Sequence, residues 1–297
     1  MLRKILLSFF IFQITIANLP SGISALFAQH TIDSLLTLLK NDKEDTTKVI
    51  YSNNLCREYT SIGSYDTALH YGNAALYLSK KMDFKTGIAR SYNNIGIIYY
   101  KQGNYDKALE NYFAALQLRE EIGDKHGIAA SYNNIGNIYY EQGNYDKALE
   151  NYFAALQLRE EIGDKHGIAA SYNNIGEIER IQGNYDKALE NYFAALQLFE
   201  EIRNKQGTSA SCNNIGNVYI KQHKTAEAKK QLLLSLSIAK VICSKDDIKE
   251  AYQSLSLCDS AEGNWKGAYH YHKLYKQFND SIFNAESDKR TAEMSAK

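Results

Sequence analysis

The chain repeats itself every 40 residues, in units that start cleanly at positions 51, 91, 131, 171, 211 and 251. Residues 91–130 and 131–170 differ only at Ile97 versus Asn137 and at Lys101 versus Glu141, and residues 171–210 differ from the second unit at ten positions. A period of this length is the mark of stacked supersecondary units, each unable to bury its apolar face alone. Near-identity of the central copies points to recent internal duplication. Of 297 residues only Pro20 is a proline, so nothing beyond position 20 removes a backbone donor or fixes φ against a helix.

Within one unit the spacing reads as two helices. Tyr132, Ile135, Gly136 and Tyr139 recur at intervals of three and four, one buried helical face. Gly143-Asn144 interrupts that pattern, Asn144 serves as an N-cap, and Asp146 follows in the first turn. Ala148, Tyr152, Ala155 and Leu158 mark the second helix, which ends near Gly163, and the stretch from Asp164 to Gly167 is expected to turn into the next unit. Small residues at Gly136, Ala148 and Ala155 allow close helix approach, with Tyr and Ile filling the space between.

The spacing Tyr132-x-x-Ile135-Gly136-x-x-Tyr139, then Ala148-x-x-x-Tyr152, resembles the tetratricopeptide repeat, with Tyr in the Trp and Phe positions and Ile for Leu. The same frame holds at Tyr92, Ile95, Gly96, Tyr99, Ala108 and Tyr112, and at Tyr172, Ile175, Gly176, Ala188 and Tyr192. The unit is longer than that family's 34 residues and lacks its usual proline, which implies helices longer by part of a turn. The resemblance implies an all-α fold: a right-handed α-solenoid of about six helix-turn-helix repeats over residues 51–290. Both ends are atypical, as capping requires. Cys56 and Gly72 replace Gly and Phe in the first repeat, His223 and Thr225 alter the turn of the fifth, and the sixth lacks the Asn pair. Residues 29–50, with Ile32, Leu35, Leu36 and Leu39, read as an N-terminal capping helix and lead-in. Phe278 to Lys297 reads as a polar helical extension, with 291–297 its tail.

Residues 1–28 read as a signal peptide. Arg3 and Lys4 precede an apolar run from Ile5 to Ile16, Pro20 and Gly22 are expected to break any helix, and small residues lead to Ala28. The run is shorter than the roughly 20 apolar residues that span a bilayer. An uncleaved anchor is the competing reading. On cleavage, 32 basic residues face 34 acidic ones, and the expected product is periplasmic or secreted with no membrane span. A balanced charge without a basic cluster argues against nucleic acid as a partner. Cys56, Cys212, Cys243 and Cys258 form no C-x-x-C pair; they are read as buried free thiols or as one bridge in the C-terminal half.

No catalytic, metal or cofactor motif occurs. His126 and His166 are placed in the repeated turns, His270 and His272 point to different sides of a helix, and no H-E-x-x-H, phosphate loop or G-x-S-x-G is present. No enzyme activity, metal or cofactor is therefore expected. The Asn pairs Asn53-Asn54, Asn93-Asn94, Asn133-Asn134, Asn173-Asn174 and Asn213-Asn214 stand out, because Asn is unfavourable inside a helix. In tetratricopeptide proteins the first helices line a concave groove, and the resemblance implies that Asn54, Asn94, Asn134, Asn174 and Asn214 bond a bound peptide's backbone. The alternative is that one Asn of each pair bonds a neighbouring repeat while the other faces water. The copies also differ on this helix, at Asn137 and Asn217 in one register, at Glu177 and Arg180 in the third copy, and beside Tyr140.

These readings describe an exported scaffold that binds a protein or peptide in a groove, with self-association through the C-terminal helix left open. A second reading is the input region of a transmembrane signalling protein such as a histidine kinase, whose membrane and output parts are absent from this chain. Intact mass and cell fractionation of the native product are expected to show a soluble exported chain beginning at Gln29. A larger membrane-bound product would favour the signalling reading.

Overall fold

The computed structural model describes residues 21–41 and 45–295. Thirteen helices and no strand occur among them. Helix α1 (Ser21–Asn41) precedes six antiparallel pairs: α2 (Thr46–Ser61) with α3 (Tyr65–Lys81), α4 (Lys85–Lys101) with α5 (Tyr105–Glu121), and α6 (Lys125–Glu141) with α7 (Tyr145–Ile162). They continue as α8 (Lys165–Ile181) with α9 (Tyr185–Glu201), α10 (Lys205–Lys221) with α11 (Thr225–Val241), and α12 (Lys245–Ala261) with α13 (Trp265–Ser295). The chain divides into two compact units, residues 22–163 and 164–297.

The 40-residue period is set by 17-residue helices and three-residue joints. Asn144 Oδ1 accepts the Lys147 amide at 3.3 Å, and Asp124 and Asp164 cap the first helices by accepting the Gly127 and Gly167 amides at 3.0 and 2.9 Å. Each cap satisfies one of the backbone donors left over at a helix start. The chain leaves the first helices through a left-handed residue, Gly143 at φ 72° in one repeat and His223 at φ 58° in another. A Cβ there costs on the order of 1 kcal/mol, which the fifth repeat tolerates.

Several sequence readings change in detail. The turn between repeats is tighter than Asp164 to Gly167, because Asp164 is a cap and Lys165 to Gly167 form the first turn of α8. His126 and His166 accordingly lie in first helical turns rather than in loops. The first repeat begins at Thr46, so the last residues of the assigned lead-in belong to α2. Gly22 lies inside α1, which runs on through Ala28 and Gln29, so the helix is unbroken at that glycine. The rest of the 1–28 signal assignment lies outside the described residues. The buried residues of α1, Ile32 and Leu35, pack on Leu55 and come after the expected cleavage point.

Within each unit, the second helix of one repeat packs between its own first helix and the next. Ala108, Tyr112 and Leu116 of α5 join Ile135 and Ile138 of α6 in one unit. In the other, Ala188 and Tyr192 of α9 join Ile215 and Val218 of α10, and Leu232 and Leu236 of α11 meet Ile248, Tyr252 and Leu255 of α12. The glycine of the motif makes room for this. A methyl group on Gly136 would lie 2.7 Å from Cε1 of Tyr152, and one on Gly96 equally close to Tyr112. Tyr152 is 3% exposed, and fully burying such a ring contributes about 1.5–3 kcal/mol. All four cysteines are free thiols, three buried and Cys243 exposed, so no bridge forms; burial pushes Cys56 up to about 12.

Gly136→Ala is expected to destabilise the protein by about 1–3 kcal/mol, since the ring it meets has no free volume to enter. Urea unfolding measures this; an unchanged midpoint would mean that Tyr152 is not held against the helix.

Candidate functional site

The Asn pairs form a ladder between repeats. Asn94 Nδ2 donates to Asn53 Oδ1 at 3.0 Å and to the Asn53 carbonyl at 3.2 Å, while Asn53 Nδ2 donates to Ser91 Oγ at 3.0 Å. One step along, Asn134 Nδ2 donates to Asn93 Oδ1 at 3.2 Å. In these two steps the second Asn of a repeat donates to the first Asn of the repeat before it, a pattern that Asn214 does not continue. Asn94 and Asn134 therefore direct an amide N–H at the preceding repeat, where the sequence reading expected a bound peptide, because the neighbouring helix is within hydrogen-bond reach. Asn53 and Asn94 are buried; Asn54 is half-buried and accepts from Arg90 Nη2 at 2.9 Å.

Arginines on the second helices complete the ladder. Arg119 Nη1 donates to Ser131 Oγ at 2.7 Å, to the Gly127 carbonyl at 2.9 Å and to Asn93 Oδ1 at 3.4 Å. Arg159 Nη1 reaches Asn133 Oδ1 at 3.3 Å. Burial pulls the Arg119 guanidinium below its ordinary value, with the Asp124 charge acting against that shift. In the other unit Ser211 Oγ donates to Asn173 Oδ1 at 3.2 Å. Sequence reasoning did not find the arginines or serines as partners of the Asn pairs. Their signal was present, since Ser91, Ser131, Ser171 and Ser211 open every Asn-bearing motif but the first.

Asn137 and Asn217, in the stretch where the copies differ, and Asn214 of the last Asn pair lie outside the ladder. Asn137 is half-buried; its Oδ1 accepts from Tyr152 Oη at 2.8 Å and its Nδ2 makes no hydrogen bond among the described residues. Asn214 and Asn217 are half-buried and make no side-chain hydrogen bond among the described residues. In the third copy Glu177 stands in the register of Asn137. Arg180 holds it through Nε at 2.8 Å and Nη2 at 2.6 Å, and Tyr192 Oη donates to it at 2.8 Å. Burial first, then the Glu177 charge, raises the Tyr192 phenol, so it remains a donor. Tyr100 Oη donates to Glu141 Oε1 at 3.3 Å, and Tyr140 stands against Tyr145 with ring centroids 6.0 Å apart. Asn174 also has a partner within the chain.

Asn213 differs from its counterparts. It is 6% exposed, and its Oδ1 has no hydrogen-bond partner. The serine that serves this register elsewhere is Ala251 here, and the second Asn is Ser254. Elsewhere a shallow depression along the turns is lined by Gln102, Asn104, Tyr105, Asp106 and Gln142. Among the described residues no group of three His, Cys, Asp or Glu side chains is placed to hold a metal ion, and no helix is long and apolar enough to cross a membrane.

The stacked helix pairs and the seam define an α-helical repeat scaffold. The tetratricopeptide repeat model matches residues 46–121, 87–161, 127–201 and 167–240, about two thirds of the chain, and the protein belongs to that family. Comparison with curated proteins finds no match. Among solved structures, RapI in its apo form is similar with a TM-score of 0.68 at 18% identity, covering 88% of this chain and 93% of its own. BtubC from P. vanneervenii is similar with a TM-score of 0.62 at 20% identity over 74% of this chain and 90% of its own. A signal transduction ATPase with numerous domains and a tetratricopeptide repeat sensor, from Pyrococcus horikoshii, gives a TM-score of 0.69 at 23% identity. That match covers 87% of this chain and 41% of the ATPase.

Asn134→Ala is expected to cost about 1 kcal/mol of stability by removing the shorter of the two hydrogen bonds to Asn93 Oδ1, the other coming from Arg119, and Ala251→Ser to add about as much by giving Asn213 a donor. Thermal melts of both variants check the pair of signs; a neutral Asn134→Ala would remove the ladder from the account of stability.

Proposed function

We propose that this tetratricopeptide repeat scaffold binds a protein or peptide partner along its first helices. The observation that carries this reading is the separation of two side-chain sets on the same helices. Asn53, Asn93, Asn94 and Asn134 are engaged in holding repeats together. Asn137 in one unit, and Asn214 and Asn217 in the other, keep hydrogen-bonding capacity for a partner, and the register of Asn137 changes from Arg57 to Ile97, Glu177 and Leu257 in the successive repeats. An amide presents donor and acceptor together, so spaced amides hold an extended backbone while the varying neighbours select its side chains. Affinity then rests on a few anchors rather than on the whole face.

The scaffold acts by binding and not by catalysis. We propose further that it works after export, on the basic start and apolar run that open the sequence. The likeness to a tetratricopeptide sensor in a signalling ATPase extends to the fold, and the signalling reading rests on that likeness alone.

A photocrosslinking residue at 137 or 217 is expected to trap a discrete partner in the native cells, while one at Glu110 or Glu150, exposed on second helices, traps none. Asn137→Ala with Asn217→Ala should then weaken capture about tenfold and leave the melt unchanged. Equal trapping from both faces would refute the groove.

A further inference from the structure

The last repeat keeps the surface on which another repeat would stack. In the interior, Ile97 of α4 and Tyr105 and Leu109 of α5 pack against the cluster that contains Ile135 and Ile138 of the following first helix, α6. Tyr185 and Leu189 of α9 pack in the same way with Ile215 and Val218 of α10. In repeat six the registers of Ile97, Tyr105 and Leu109 hold Leu257, Trp265 and Tyr269. Their apolar character is retained, yet they are 54%, 72% and 71% exposed. Trp265 is the sole tryptophan of the chain.

Large aromatic side chains gain most when a partner removes them from water, and a group of them on one face marks an interaction surface. The registers define the shape of what fits there. Because they are those of the repeat seam, the occupant takes the place of a first helix and presents branched apolar residues three apart, as Ile135 and Ile138 or Ile215 and Val218 do.

In charge this face differs from an interior seam. Exposed His272 and Lys276 replace Tyr112 and Leu116, and Lys266 and Lys273 are exposed on the same helix. From Trp265 to Asn279 the sequence of α13 contains no acidic residue. α12 exposes Asp246 and Glu250 near its start, with Asp246 3.4 Å from Lys249, so the basic excess belongs to α13. The interior seam shows which end of an incoming helix meets it. Arg119, in the last turn of α5, donates to the Gly127 carbonyl in the first turn of α6 at 2.9 Å. Lys276 lies three residues before the register of Arg119, so a carboxylate in the first turn of the incoming helix falls close to it. Acidic residues in a first turn also suit that helix's own dipole. A second α13 in this place would set lysines against lysines.

We propose that Leu257, Trp265, Tyr269 and Lys276 form a docking surface for an amphipathic helix of another protein, one with an acidic first turn, stacked where a further first helix would lie. The apolar registers supply the contact and the lysine selects the orientation and the charge of the occupant. This surface goes beyond the groove reading and uses none of Asn137, Asn214 or Asn217.

The chain's own α12 supplies the probe, being a first helix with Asp246 and Asp247 in its first turn and Ile248, Tyr252 and Leu255 on its buried face. A helix-stapled peptide of residues 245–261 carrying Cys258→Ala is titrated into the full chain, beside a counterpart with Asp246→Lys and Asp247→Lys. The acidic peptide is expected to move Trp265 emission to shorter wavelength, to shield it from acrylamide, and to bind about tenfold more tightly than its counterpart. Tyr269→Glu, at an exposed position, should weaken binding about tenfold by peptide anisotropy and leave the melt unchanged. Lys276→Glu should remove the preference for the acidic peptide. Unmoved Trp265 emission, equal binding of the two peptides, or full binding by Tyr269→Glu would overturn the docking surface. An equal emission shift on vesicles of phosphatidylglycerol and phosphatidylcholine, or on raising the protein concentration alone, would overturn it in favour of a lipid surface or a second copy. The groove is judged separately by crosslinking at 137 and 217, so the two readings fail independently.

Discussion

Everything in this protein depends on how closely one helix can approach another at the repeat seam. The contact of Gly136 with the ring of Tyr152 admits no methyl group, and the same contact recurs at Gly96 with Tyr112. That approach fixes the spacing of the helices. It also brings the Asn pairs of adjacent first helices within hydrogen-bond distance, so apolar packing and polar ladder are two results of one geometry. Neither would survive alone: a ladder of buried amides without the close packing would admit water, and packing without the ladder would bury unsatisfied amides.

Within residues 22–163 the ladder runs one way, with Asn94 donating to Asn53 and Asn134 to Asn93. A solenoid built this way has a direction, and its ends must break the pattern. At the start, α1 covers Leu55 with Ile32 and Leu35. Near the other end the chain substitutes Ala251 and Ser254 for the serine and asparagine of the motif, and Asn213 is left with an unpartnered oxygen. The exposed ion pairs that close each repeat, such as Lys85 with Glu121 at 3.0 Å and Lys125 with Glu161 at 2.9 Å, lie in solvent and contribute little to this order.

Function on such a scaffold is a matter of which polar groups the seam leaves over. Arg119 and Arg159 on second helices, and Ser91 and Ser211 on first helices, take up the free valence of the Asn pairs. What remains is a small set, Asn137, Asn214 and Asn217, with a register that varies along the array. The tightly paired Glu177 and Arg180, joined by Tyr192, show how one copy of the motif has changed that register without disturbing the packing behind it.

The helical class, the period, the two helices per unit and the residues of the apolar seam are all legible in the spacing of apolar residues, because a 3.6-residue pattern puts them on one face of each helix. The sequence also marked the Asn pairs as exceptional. It did not decide what they do, for Asn94 reaches Asn53 across 41 positions and Arg119 reaches Asn93 across 26, pairings that helix periodicity within one unit does not contain. The exact start of each helix likewise waited on the caps: Asp164 looks like a turn residue until its carboxylate is seen accepting the Gly167 amide. Local spacing fixes which face of a helix is apolar; only the stacked structure fixes which polar groups on the other faces meet a neighbour and which are left for a partner, because that depends on the distance between helices far apart in the chain.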